Sequence, residues 1–237
     1  MFVRTENFRT FTKLYPIITT IAAIHLVLWT SVQFTDFFRD LTIGNNYLIW
    51  NGEYWRLITP IFLHVSLTHL LFNTLSLVLF GPGLERMLGR GKFILIYLLG
   101  GILANIATLL LAPVLYSHLG ASGAIFALFG VYLYMVFFRP DLISNANSQI
   151  ILIILGISLV MTFFTHNVNI YAHLFGFLAG TILAPFFLGK GNKTFNRSLS
   201  QIFPNIRRTT HQTSKGQSII WVVLIALVLI GIISRFV

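Results

Sequence analysis

An all-α fold crossing a membrane several times is what this sequence predicts, on three observations. The 237 residues are 56% hydrophobic and only 9% charged, which leaves too little polar surface for a soluble domain of this size. A hydrocarbon core about 30 Å thick needs roughly 20 helical residues to cross it. Seven stretches fit, at about 14–32, 60–80, 93–113, 122–138, 149–165, 170–188 and 218–235. Finally, the net charge of +10 is spread over the connections between these stretches. It therefore reports membrane topology and not a nucleic-acid surface.

The first span follows Arg4, Arg9 and Lys13, is too long for the apolar core of a signal peptide, and is followed by bulky Phe34, Phe37 and Phe38, so it reads as a retained helix. A loop of aromatic residues follows (Phe37, Phe38, Tyr47, Trp50, Tyr54, Trp55), mixed with Asp36, Arg39, Asp40, Glu53 and Arg56. Two readings stand for it: an aromatic belt at the outer interface, or a structured lateral element bracing a site. The fourth span is short and opens at Ser122 after a nearly chargeless linker. The fifth and sixth are joined only by Thr165 to Asn169 and must be antiparallel neighbours. Residues 1–189 are thus expected to form a six-helix core, 190–217 a basic cytoplasmic linker, and 218–237 an extra C-terminal transmembrane helix. There is no cysteine, which removes disulfides, thiol catalysis and thiolate metal sites together. No internal repeat supports a solenoid or an inverted-repeat transporter.

With the N-terminus inside, all of the 16 Lys and Arg residues except Arg39, Arg56 and Arg235 fall on the cytoplasmic side. The second, fourth and sixth spans then run from outside to inside. Their polar residues cluster near the outer ends: His64, His69 and Asn73, then Ser122, then His173. His69 and Asn73, four apart, share a helix face, whereas His64 stands just above the helix proper. Gly120 and Gly123 flank Ser122 and permit close backbone approach at a helix N-terminus, where free N–H groups gather. His173, Gly176 and Gly180 fall on one face with a small-xxx-small surface for a neighbouring helix.

Chemically, a serine hydroxyl needs a base, and neutral imidazole, with a pKa near 6.5, is suited to that task. Ser122 and His173 fit these roles, with His69, the Asn73 amide and the Ser122 backbone N–H as donors to an oxyanion. The six carboxylates, Glu6, Asp36, Asp40, Glu53, Glu85 and Asp141, all lie outside the outer halves of the spans, so a serine hydrolase here would use a Ser-His dyad. Duller readings exist for each residue taken alone: Ser122 bonding back to the preceding turn, or His and Asn as helix-packing glue. A zinc site of His64, His69 and His173 is disfavoured, because no carboxylate or thiol is near and residues five apart splay on a continuous helix. A proton or metal transporter is disfavoured by the lack of charged residues within the spans.

At these residues the chain resembles the rhomboid family of intramembrane serine proteases, over about residues 45 to 185. The matching elements are Trp55-Arg56, then His64, His69 and Asn73 at H-x4-H-x3-N spacing. Gly81, Glu85 and Gly89, Gly120-x-Ser122-Gly123, and His173, Gly176 and Gly180 complete the set. The resemblance implies a six-helix fold, with Ser122 hydrogen-bonded to His173 at the bottom of a wet cavity open to the outside, and an oxyanion site of His69, Asn73 and the Ser122 amide. It implies that His64 and Arg56 help to hold the first loop and Glu85 the inner loop. Phe126 stands where the family often has Tyr and keeps a ring to pack on His173, while the seventh span is an appendage found in a subset of the family.

The expected activity is therefore that of an intramembrane serine endopeptidase, cleaving single-span membrane proteins near the outer face without metal or cofactor and without nucleic acid as a partner. The expected location is the cell membrane, with the chain in contact with lipid, the N-terminus cytoplasmic and the site open to the extracellular side. The fifth span, with Met161, Phe163 and Phe164 near its outer end, is a candidate lateral gate. The alternative is a catalytically inactive relative that binds membrane clients.

Overall fold

Where several of the helices begin is set by a polar side chain that takes backbone N–H groups of the first turn, which have no partner within the helix. The computed structural model describes residues 2, 5–165, 168–189 and 199–202. Asn7 caps α1 (Phe8–Leu14), and α2 (Pro16–Phe34) begins on a proline, which loses nothing by lacking an N–H there. Thr35 caps α3 (Asp36–Thr42), which leads through a two-residue strand β1 (Gly44–Asn45) into α4 (Asn46–Trp50), capped by Asn45. Two 3₁₀ turns, Tyr54–Leu57 and Thr59–Phe62, precede Ser66, the cap of α5 (Leu67–Leu88). Then come α6 (Arg90–Leu111), strand β2 (Ser117–His118), α7 (Ser122–Phe138), α8 (Asn145–Phe164, capped by Ser144), α9 (Ile170–Leu188) and the short α10 (Leu199–Ile202).

Helices α2, α5, α6, α8 and α9 are each long and apolar enough to cross a membrane, and α7, with 17 residues, is a shorter apolar helix. These helices lie where the first six spans are expected, five of them long enough to cross, and the chain is an all-α, multi-pass membrane bundle. The linker from 190, apart from α10, and the seventh span at 218–235 lie outside the described residues. The second span differs from expectation at its start, which is Leu67 and not residue 60. Pro60 and the turn around it form 3₁₀ structure, and the Ser66 hydroxyl accepts the His69 N–H at 3.2 Å, starting the helix there. The antiparallel β1–β2 pair was not foreseen, because two residues per strand leave no alternation to read.

The described residues fall into two compact units, one of 1–131 with 171–189 and one of 132–170 with the residues from 190 onward. In the second, the Gln149 side chain donates to the Ile202 carbonyl at 2.5 Å, tying α10 to α8. In the first, small residues let helices touch backbone to backbone. A Cβ at Gly176 would run into the Gly123 carbonyl and one at Gly180 into that of Ala127, so α9 lies directly on α7. On its other side, a Cβ at Gly100 would run into the Cβ of Ala127, which fits α6 closely against the same helix.

The connection between α2 and α5 is a folded element. Buried Arg56 donates to the carbonyls of Asp40 at 2.8 Å and Ile43 at 2.7 Å and pairs with Glu53 at 2.6 Å. The Trp55 indole donates to Leu41 O, and the Thr59 hydroxyl to Thr42 O. Fully buried Asn46 sends its amide to the carbonyls of Thr108, Ala112 and Pro113 at 3.2, 3.4 and 3.0 Å, capping the C-terminus of α6. The aromatic residues of the loop, Phe37, Phe38, Tyr47, Trp50, Tyr54 and Trp55, remain exposed. The loop is therefore folded through its polar contacts while its aromatic residues stay exposed.

Candidate functional site

Ser122 opens α7, and the segment that delivers it is held from two sides. The Gly120 N–H donates to the Pro60 carbonyl at 2.8 Å, and the Ala121 N–H to His64 Nε2 at 3.5 Å. Gly120 has φ +115°, a backbone conformation that L side chains rarely adopt. A Cβ there would also collide with the His69 ring, 2.6 Å from its Nε2. Glycine is thus required twice over, once for the turn and once so that an imidazole can lie on the backbone two residues before the serine.

From Ala121 to Val131 every residue is buried except Ser122, which is partly open. One turn further along the same face, the Phe126 ring stacks on the His173 imidazole, with centroids 4.2 Å apart and planes inclined by 19°. The helix carrying His173 is pressed against the serine's turn, because Ala172 and Gly176 both meet Gly123. Phe126 and His173 thus meet at the α7–α9 contact with Ser122 one turn before Phe126 on α7, and Gly123, Gly176 and Gly180 are the residues that allow the approach.

Helix α5 carries His69 and Asn73, and the His69 ring lies against Gly120. Asn73 is buried, and its amide nitrogen donates to the His69 carbonyl at 3.0 Å, which leaves a second N–H on that nitrogen. His69 lies beside His64 with ring centroids 5.0 Å apart and planes at 68°. This differs from the splayed arrangement expected of residues five apart. The helix is not continuous between them: it begins after Ser66, and the chain at His64 turns back towards it. Among the described residues, no group of three or more His, Asp or Glu is arranged to hold a metal ion.

The remaining expected residues lie further out. Trp55 and Arg56 fasten the α2–α5 loop to itself, and the guanidinium sits 5.9 Å from the Trp55 ring centre. Glu85 is buried and accepts the N–H groups of Ile17 at 3.0 Å and Ile18 at 3.1 Å, so it caps the start of α2, a more distant partner than the inner loop expected for it. His64 reaches the segment before Ser122.

Four polar residues escaped notice in the sequence. Asn46 and Asn105, whose amide holds the Leu57 carbonyl at 2.8 Å, fix the loop onto α6. His118, in the connection before α7, is buried against Gly44, and burial lowers its pKa from 6.5 to about 4. His25, fully buried in mid-span of α2, lies against His64 with centroids 4.6 Å apart. Only His25 carried a signal, as an ionisable residue in an apolar run.

Comparison with known proteins gives a consistent family. The Rhomboid domain model matches residues 51–190. The rhomboid-type protein YdcA of Bacillus subtilis (strain 168) is 50% identical over 188 residues, covering 78% of this chain and 94% of its own length. Rhomboid protease GluP from the same organism is 41% identical over 139 residues, 59% of this chain but only 27% of GluP. RHOMBOID-like protein 2 of Arabidopsis thaliana is 32% identical over 180 residues, covering 75% of this chain and 55% of that protein.

Proposed function

Because the chain belongs to the rhomboid family, a family with intramembrane proteases among its members, we propose that it is an intramembrane serine endopeptidase working through a dyad of Ser122 and His173. One observation carries the reading: Ser122 is the partly open residue in an otherwise buried turn, on the face whose next turn stacks on His173.

In this reading His173 takes the Ser122 proton as Oγ attacks the substrate carbonyl, and the oxygen of that carbonyl becomes an oxyanion. The Ser122 backbone N–H, His69 and the second N–H of the Asn73 amide are the donors assigned to it. The two preceding N–H groups, of Gly120 and Ala121, are already engaged by Pro60 and His64. Collapse of the intermediate breaks the C–N bond, and His173 gives its proton to the leaving amine. Water, activated by the same imidazole, then hydrolyses the acyl-enzyme. The chemistry calls for no metal or cofactor.

Substrates in this reading are single-span membrane proteins cut near the outer face. A helix hides its carbonyls in hydrogen bonds, and unwinding it in lipid costs several kcal/mol per unsatisfied group. Substrates with helix-breaking residues lower that cost. The distribution of Lys and Arg supports a cytoplasmic N-terminus and a site facing the opposite side.

The test is cleavage of a model single-span substrate by the purified protein in detergent, for wild type, Ser122→Ala and His173→Ala, with fluorophosphonate labelling alongside. Loss of cleavage in both variants, and labelling only where Ser122 is present, is the expected result. A wild type that neither cleaves a panel of helix-destabilised substrates nor labels would overturn the dyad in favour of client binding.

A further inference from the structure

His25 has no part in the chemistry above, yet it sits fully buried in an apolar helix, where an unpaired polar atom is costly. Its Nδ1 lies 3.3 Å from the Thr74 hydroxyl on α5. Its Nε2 and the Nδ1 of His64 are both buried with no hydrogen-bond partner among the described residues, and they belong to rings that meet edge to face at 4.6 Å.

Proton bookkeeping links the two. A backbone N–H can only donate, so the Ala121 contact makes His64 Nε2 an acceptor, and a neutral imidazole then carries its proton on Nδ1. If His25 gives its own Nδ1 proton to Thr74, its Nε2 is a bare acceptor. The unpartnered pair is then one donor and one acceptor on adjacent rings. The two bonds at the ends of the series, Ala121 to His64 and His25 to Thr74, then donate in the same direction.

We propose that His25 is a positioning residue for the segment before Ser122: it accepts the His64 Nδ1 proton through one water, and so fixes the tautomer in which His64 Nε2 holds the Ala121 N–H. The effect on rate rests on the reading of Ser122 as nucleophile; the tautomer does not. The Phe62 carbonyl is the competing acceptor near His64. Trp29 and Gln33, further along the same helix as His25, each donate to the Val65 carbonyl at 3.2 Å, so α2 already grips the backbone next to His64.

The test uses the full chain with ¹⁵N-labelled histidine rings, in detergent micelles, as wild type, His25→Phe and His25→Gln. The His64 signals are assigned by their loss in His64→Gln. The expected wild-type spectrum shows His64 protonated at Nδ1 alone. In His25→Phe that signal becomes a mixture or shifts to the Nε2–H form, and His25→Gln, whose amide oxygen can accept, restores it. In parallel, kcat for the model substrate falls about tenfold in His25→Phe with KM unchanged, as a small misplacement of the nucleophile would produce, and recovers in His25→Gln. A wild-type His64 protonated at Nε2 overturns the proposal. So does an unchanged tautomer in His25→Phe, which would assign the proton to Phe62. A switched tautomer with unchanged kcat overturns the positioning role. Failure of wild type to label with fluorophosphonate overturns the dyad instead, and leaves the tautomer to decide this inference.

Discussion

The Phe126 ring lies flat on the His173 imidazole, 4.2 Å between centroids and 19° from parallel. A flat ring restricts how an imidazole can turn, which matters under the proposal that His173 presents one nitrogen to Ser122. An aromatic pair of this kind contributes about 0.5–1.5 kcal/mol beyond its buried area. Phe126→Leu is therefore expected to lower kcat by a few-fold to about tenfold. Phe126→Tyr should retain activity close to wild type, because the stack is kept. Steady-state cleavage of the model substrate checks both, and equal activity of the Leu variant would show that the ring plays no part in orienting His173.

Contact between α7 and α9 depends on two missing side chains. A methyl at Gly176 or Gly180 meets a backbone carbonyl, of Gly123 or Ala127, which cannot swing aside as a side-chain end can. Gly176→Ala and Gly180→Ala are expected to destabilise the protein by about 1–3 kcal/mol and to reduce Ser122 labelling. Gly156→Ala on α8, where an added methyl meets nothing within 4 Å, is the control and should leave both unchanged. Thermal unfolding in detergent, followed with the labelling assay, separates the two outcomes.

Asn46 holds three carbonyls at the end of α6. Thr108 O and Pro113 O keep the N–H groups of Ala112 and Tyr116, so removing the amide costs chiefly its own hydrogen bonds, about 0.5–1.5 kcal/mol for each one lost. Asn46→Asp should be worse than Asn46→Ala, since it presents an acceptor to acceptors. The expected readout is a lower thermal midpoint for both variants, with protease nicking of the loop between residues 35 and 60. Nicking no faster than in wild type would mean that the β1–β2 pair and Arg56 suffice to hold the loop.

His118 is buried with neither ring nitrogen paired, and its pKa is lowered from 6.5 to about 4 by desolvation. The fold therefore favours the neutral ring. Its contribution is fully present above pH 6.5 and is lost as pH falls from there towards 4, where the unfolded chain binds the proton and the folded one resists it. The loss is on the order of 3 kcal/mol. His118→Phe should flatten the fall of the thermal midpoint between pH 6.5 and 4, relative to wild type. Equal slopes in the two proteins would mean that His118 escapes by local opening of its contact with Gly44.

The six spans, their order, and the polar residues near one end of three of them are written in the sequence, because crossing a membrane depends on apolarity averaged over a local window of chain. The short start of α7 at Ser122 and the small-residue faces of Gly123, Gly176 and Gly180 are legible for the same reason: each is a property of residues within a few turns. Other relationships were decided only by the tertiary structure. Asn46 meets Thr108 across 62 residues of chain and His25 meets Thr74 across 49. His64 and His69 come together where the helix starts at Leu67 on its cap Ser66, so that the two residues do not share one continuous helix. Hydrogen bonds of this kind join single donors to single acceptors and leave no periodicity behind, so the chain specifies them only by bringing their partners into reach when it folds.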